Sequence, residues 1–212
     1  MVKIDEKLED MKEETMKLAE MASEAIETCI VALKNRDFEL SDEVIDGDSN
    51  INEHYMKVEN RCISIIALEQ PVATDLRLIS STMTIANDLE RIGDYAVNIA
   101  KINKRIKEEK LIKPLIDVPR MKDIVKEEIA MSMEFYQTMS FDEKKLVIDE
   151  DLNELNKQIF NELVLIMMGE PKTVDQAGKL ILVGRHLERA GDHAINIANR
   201  VNYILTGDIG YI

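Results

Sequence analysis

The sequence predicts an all-α protein of two tandem three-helix bundles, six long helices in all, on three observations. The first is composition: 212 residues hold 8 Gly, 4 Pro, 4% aromatics and no Trp. β-Proteins need frequent turn residues and favour aromatic and β-branched side chains, so this mix favours long helices. The second is an apolar period that alternates four and three along whole segments. The third is a twelve-residue stretch that occurs twice at an offset of 98.

The first segment places Ile4, Leu8, Met11, Thr15, Leu18, Ala22, Ala25, Cys29 and Ala32 on one seam. A seam of that length predicts a helix packed lengthwise on others, ending near Asn35-Arg36-Asp37. A second helix is expected from Phe38 to Glu69, stopped by Pro71. Thr74 or Asp75 is expected to cap a third, running to Lys107. Between Glu108 and Pro119 the period fails and two prolines, Pro114 and Pro119, appear; this reads as a linker. The second half repeats the plan, with helices expected at Met121–Met139, Asp142–Met168 and Val174–Leu205. Gly169-Glu170-Pro171 breaks between the last two, and Thr206-Gly207 stops the chain's final helix. The expected units are therefore 1–110, a linker 111–119, and 120–212. Short connections make neighbouring helices antiparallel.

The duplication is plain residue by residue. LERIGDYAVNIA begins at Leu89 and LERAGDHAINIA at Leu187, with nine of twelve positions identical. In the preceding helices, Asp48-Ser49-Asn50-Ile51-Asn52 aligns less closely with Asp149-Glu150-Asp151-Leu152-Asn153.

The net charge of −14 disfavours nucleic acid as a partner, and equally an anionic membrane surface. It admits cations and basic protein surfaces. No run of about 18 apolar residues exists, so no direct membrane insertion is expected. The N-terminus lacks the apolar stretch of a signal peptide, which predicts a cytoplasmic protein. Cys29 and Cys62 fall in apolar helical patterns and read as buried, reduced thiols. The 12 methionines read as core filler. No Gly-rich phosphate loop, nucleophile elbow, His-Glu-x-x-His or Cys-x-x-Cys occurs, so no catalytic residues are assigned and the protein is not read as an enzyme.

The chemistry lies in the repeated motif. Glu90 with Asp94, and Glu188 with Asp192, are i,i+4 pairs that share a helix face. Like charges at that spacing repel, and Gly93 and Gly191 beside them each weaken a helix by about 1 kcal/mol relative to Ala. Asp48 with Asn52, and Asp149 with Asn153, place a second oxygen pair on the neighbouring antiparallel helix of each half. Two facing pairs supply about four oxygen donors, which suits a hard or borderline cation with positions left for water. The plainer alternative is a solvated acidic face with ion pairs to Arg91 and Arg189. The glycines serve the site or a close helix contact, and Asn98 and Asn196 extend the site or bond within the bundle. His186 and His193 flank the second motif but do not point along its Glu188–Asp192 face; His54 stands alone. Ferritin-like di-iron sites need Glu-x-x-His, which neither half has, and this argues against an oxidase.

Taken together these residues resemble the PhoU family, accessory regulators of the phosphate-specific transport system. Gln70-Pro71-Val72-Ala73-Thr74-Asp75-Leu76-Arg77 is similar to that family's QPxAxDLR turn, and Tyr203-Ile204-Leu205-Thr206-Gly207 to its C-terminus. The resemblance spans essentially the whole chain. It implies pseudo-twofold symmetry between the bundles and multinuclear iron or zinc clusters. Carried over, those clusters fall on Glu90, Asp94, Glu188, Asp192, Asp48 and Asp149, with Asn52 and Asn153 where the pattern can hold Asp. It also implies repression of the phosphate-starvation response and restraint of phosphate uptake. The implied partners are the transporter's ATPase and a sensor histidine kinase; a homodimer is left open. Against this stand two further readings, a metal-dependent enzyme or metal-storage bundle and a purely structural acidic bundle.

Overall fold

The structure, a computed structural model, describes residues 4–106 and 110–208, leaving aside the side chains at 145 and 147–150. Among the described residues the elements are six long α-helices and no strand. They are α1 (Ile4–Asn35), α2 (Phe38–Glu69), α3 (Ala73–Arg105), α4 (Asp117–Thr138), α5 (Ile148–Gly169) and α6 (Val174–Thr206). Short 3₁₀ turns at Glu143–Val147 and Pro171–Thr173 lead into α5 and α6.

The predicted seam of α1 is the face that packs. Leu8, Met11, Thr15, Leu18, Ala22, Cys29 and Ala32 are buried, while Ile4 and Ala25 pack from the margin. Helices α1, α3, α6 and α4 form a closed ring around one continuous apolar core; α2 flanks α1 and α3, and α5 flanks α4 and α6. Both cysteines are buried in it as free thiols, and burial pushes the Cys62 thiol up to about 12.

Helix α3 meets α6 antiparallel. Arg77 reaches the Ile204 carbonyl, Asp88 meets His193, and Tyr95 stacks on His186. The duplicated helices thus cross head to tail, with equivalent residues exchanged between the two sides. Arg77 belongs to the QPxAxDLR stretch and Ile204 to the C-terminal stretch, so two segments distant in sequence are one contact. Arg77 also lies against Gly207, whose φ of 76° closes α6 with a bond from its N–H to the Tyr203 carbonyl, as the Thr206-Gly207 stop predicts.

Three helix starts differ from expectation. The residue before α3 is Val72, which makes no side-chain cap; Thr74 and Asp75 fall inside the first turn, where Asp75 complements the helix dipole. Helix α4 begins at Asp117 rather than Met121, since Pro119 in a first turn removes an N–H that has no helical partner anyway. At the expected start of α5, the Asp142 carboxylate accepts the Lys144 N–H at 3.1 Å. That local bond competes with helix, and the chain runs as 3₁₀ until Val147.

Buried polar groups tie the layers together. Arg36, at φ 56° in the α1–α2 turn, donates to the carbonyls of Asn103 (2.9 Å) and Ile106 (2.8 Å), capping α3. The linker is held from α6, where Gln176 accepts from the Ile112 N–H and donates to the Lys110 carbonyl. His54 does not stand alone: its Nε2 lies 3.2 Å from the Glu14 carboxylate on α1. The Lys57 ammonium beside Glu14, joined by Lys17, holds that carboxyl below its ordinary 4.5 in spite of its burial. A depressed acid contributes stability that is fully present above pH 4.5 and is lost as pH falls from there through the lower folded-state value. Glu14→Gln is therefore expected to flatten the acid limb of the stability curve, measured as urea midpoints on either side of pH 4.5. An acid limb as steep as that of the parent chain would discount the pairing.

Candidate functional site

The twin motifs sit midway along α3 and α6 because their apolar neighbours fix the helix rotation. Leu89 and Ile92 are fully buried beside the first pair, as are Leu187 and Ala190 beside the second. This leaves Glu90, Asp94 and Glu188 half-buried and Asp192 exposed.

The glycines are resolved by the packing. A Cβ on Gly93 would lie 3.0 Å from Ile51 Cδ1, and one on Gly191 would lie 2.3 Å from Leu152 Cδ2 and 2.7 Å from Glu128 Oε2. Ile51 and Leu152 are the equivalent residues of the weaker repeat in α2 and α5. Each glycine therefore admits the flanking helix at close range, the helix-contact alternative of the two.

That approach assembles the first acidic group. The Glu90 carboxyl is pushed up, first by burial, then by the charge of Asp94, with Asp48 adding to it. The charge of Asp48, on α2, is thus among those felt at Glu90 on α3. Asn52 donates Nδ2 to Asp48 Oδ2 at 3.2 Å, and Asp94 accepts from Arg91 Nη1 at 2.7 Å. In the second half Glu188 and Asp192 lie on α6 and the half-buried Asn153 on α5. The Asp149 side chain lies outside the described residues. Among those described, no three His, Cys, Asp or Glu side chains converge as a cage for one ion. The donor set fits an oxygen-seeking cation in kind, since it offers carboxylate and carboxamide oxygens and burial with like charge raises the Glu90 carboxyl above its ordinary value. The bonds from Arg91 and Asn52 use only Oδ2 of Asp94 and of Asp48, so the second oxygen of each carboxylate is not committed to them.

The two histidines turn instead to the α3–α6 seam. His193 Nδ1 lies 2.8 Å from Asp88 Oδ1 and its Nε2 is 3.5 Å from the Tyr95 hydroxyl. The Tyr95 ring stands 5.7 Å from both His186 and His193. Burial, helped by Arg189 and Arg185, lowers the His186 pKa. Asp88 and Tyr95 are the first-half equivalents of His186 and His193. An antiparallel crossing of two duplicated helices necessarily brings such positions face to face, and that was the available signal for this cluster. Asn98 is half-buried and Asn196 exposed, four residues beyond each Asp. No described helix is long and apolar enough to cross a membrane.

Comparison with known proteins agrees with this architecture. The sequence pattern of the PhoU domain matches twice, over residues 15–102 and 118–201. The chain is 39% identical over 210 residues to a phosphate-specific transport system accessory protein PhoU homolog of Aquifex aeolicus, covering 98% of this chain and 95% of that protein. It is 36% identical over 203 residues to the homolog of the same description from Clostridium acetobutylicum, covering 94% of this chain and 93% of that one. The crystal structure of PhoU from Pseudomonas aeruginosa superposes with a TM-score of 0.91 at 28% identity, over 97% of this chain and all of that one.

Proposed function

This chain belongs to the PhoU family, and on that premise we propose that it restrains phosphate uptake and phosphate-starvation signalling by contacting transport machinery. Its partners in this reading are the ATPase of a phosphate ABC transporter and a sensor histidine kinase, and its action is binding rather than turnover. The observation that carries the reading is the double domain match, which spans both halves of a chain whose relatives are accessory proteins of phosphate transport. The twin acidic motifs supply the chemistry of a cation-dependent surface, with iron or zinc as the ion.

Deleting the gene is expected to raise phosphate uptake and to switch on starvation-responsive transcription in phosphate-replete cells. Unchanged uptake and an unchanged reporter would overturn the regulatory reading. Co-purification of the transporter ATPase with the tagged chain tests the contact directly.

The metal reading is tested separately. Glu90→Ala with Asp94→Ala is expected to remove bound iron or zinc from the first half while far-UV circular dichroism stays helical, since both side chains are only half-buried. Elemental analysis showing the same metal per chain in parent and variant would eliminate this site. The regulatory reading survives that result, because the deletion phenotype does not depend on it.

A further inference from the structure

We infer that the open groove between α1 and α4 receives a cationic amphipathic helix from a protein partner. It rests on the reading that this chain acts by docking, and it uses helices other than α2, α3, α5 and α6, which carry the acidic motifs. α1 and α4 run antiparallel: the buried Tyr136 hydroxyl, bonded to Thr82 at 2.7 Å, lies near Thr15 beneath one end, and Lys122 and Lys126 pair with Glu27 at the other, at 2.9 and 2.7 Å. Between these ties lies a groove of about 500 Å³. Its walls run over residues 16–27 of α1 and 126–137 of α4. At 1.5 Å per residue that is about 16 Å, three turns of a docked helix, enough for anchors at i, i+3 or i+4, and i+7.

The lining states the chemistry of the occupant. Met16, Ala19, Ile129 and Met133 make an apolar floor, and methionines adapt to varied apolar side chains. Ala130 leaves the α4 wall low, so that a second backbone approaches closely. The rim is acidic, with Glu20 and Glu24 on α1 and Glu134 on α4. Lys126, the lysine that lines the groove among the described residues, is already paired to Glu27. An apolar stripe bordered by Lys or Arg matches this floor and rim together. A bare cation leaves the floor unused, and a second copy of the chain brings a further net charge of −14 to an acidic rim.

The test uses the full chain and a synthetic fluorescent peptide of about four helical turns. The peptide carries Leu at i, i+3, i+4 and i+7 and Lys elsewhere, and binding is followed by anisotropy. Saturable binding is expected, with loss of at least about tenfold in affinity in Glu20→Lys/Glu24→Lys and further weakening at high salt. Ala130→Phe, which fills the groove without changing charge, is expected to weaken binding comparably. Glu53→Lys/Glu154→Lys, on α2 and α5, makes the same change in net charge elsewhere and is expected to leave binding within about twofold of the parent chain. A peptide of the same composition with its Leu stripe scrambled is expected not to saturate. Equal loss in both charge-reversed variants, or equal binding of the scrambled peptide, would reduce the effect to general electrostatics and overturn the proposal. So would a parent dimer that Ala130→Phe converts to monomer in sedimentation, which would make a second copy the occupant. If the transporter ATPase still co-purifies with groove variants, the groove is excluded as its docking site and the regulatory reading stands.

Discussion

Asn103→Ala is expected to destabilise the protein by about 3 kcal/mol and to lower its Tm by about 6–12 °C. Asn103 is fully buried near the end of α3. Its amide nitrogen shares its two hydrogens among the carbonyls of Ala32 and Asp37, each at 3.1 Å, and the Ser41 hydroxyl at 2.8 Å. Its side-chain oxygen accepts from Arg36. One residue thereby satisfies the end of α1, the start of α2 and the guanidinium that caps α3. Alanine would remove these bonds; the Ala32 and Asp37 carbonyls keep the Asp37 N–H and the Ser41 hydroxyl, so the cost is that of four lost bonds at about 0.5–1.5 kcal/mol each. The equivalent position in α6 is Val201, so the duplication holds no second copy of this lock. Thermal unfolding followed at 222 nm reads the effect, and a loss below about 1 kcal/mol would mean that water replaces the amide.

Gly191→Leu is expected to be the most damaging single substitution in the acidic motifs, at about 3 kcal/mol or more. Even a Cβ there would stand 2.3 Å from Leu152, and Leu152 and Glu128 are both fully buried with little room to move. A graded series separates this contact from helix propensity. Gly178→Ala, with nothing within 4 Å of the new methyl, is expected to stabilise by about 0.5–1 kcal/mol. Gly93→Ala meets Ile51 methyl groups at 3.0 and 3.2 Å, so its propensity gain and packing cost should nearly cancel. Gly191→Ala should fall below both. Urea midpoints that rank these three alanine variants otherwise would discount the close-packing account of the motif glycine.

The ends of most helices were legible because the signals that set them are local. Gly207 at the end of α6 and the failed period before α4 need no knowledge of the fold. The missed starts were those where two local signals competed, such as Pro119 within the first turn of α4 and the Asx turn at Asp142 before α5. The acidic pairs were equally legible, since i,i+4 spacing fixes a shared face. Their surroundings were not. Whether Asp94 turns to Arg91, and how far Asp48 intrudes on Glu90, depends on rotamers and on how closely α2 meets α3.

The sequence by itself determined the six helices, their three-plus-three arrangement, the duplicated motif and the family to which the chain belongs. Each of these is written in spacing along one strand of residues, with period, offset and punctuation as its marks. Only the tertiary structure decided what the motif glycine is for, that Arg77 closes the far end of α6, and that Asp88, Tyr95, His186 and His193 share one seam. The physical reason is the same in each case. These contacts join residues about 40 to 130 positions apart, and their geometry is set by the rotation and depth at which helices pack. No local period along a single helix encodes those two quantities.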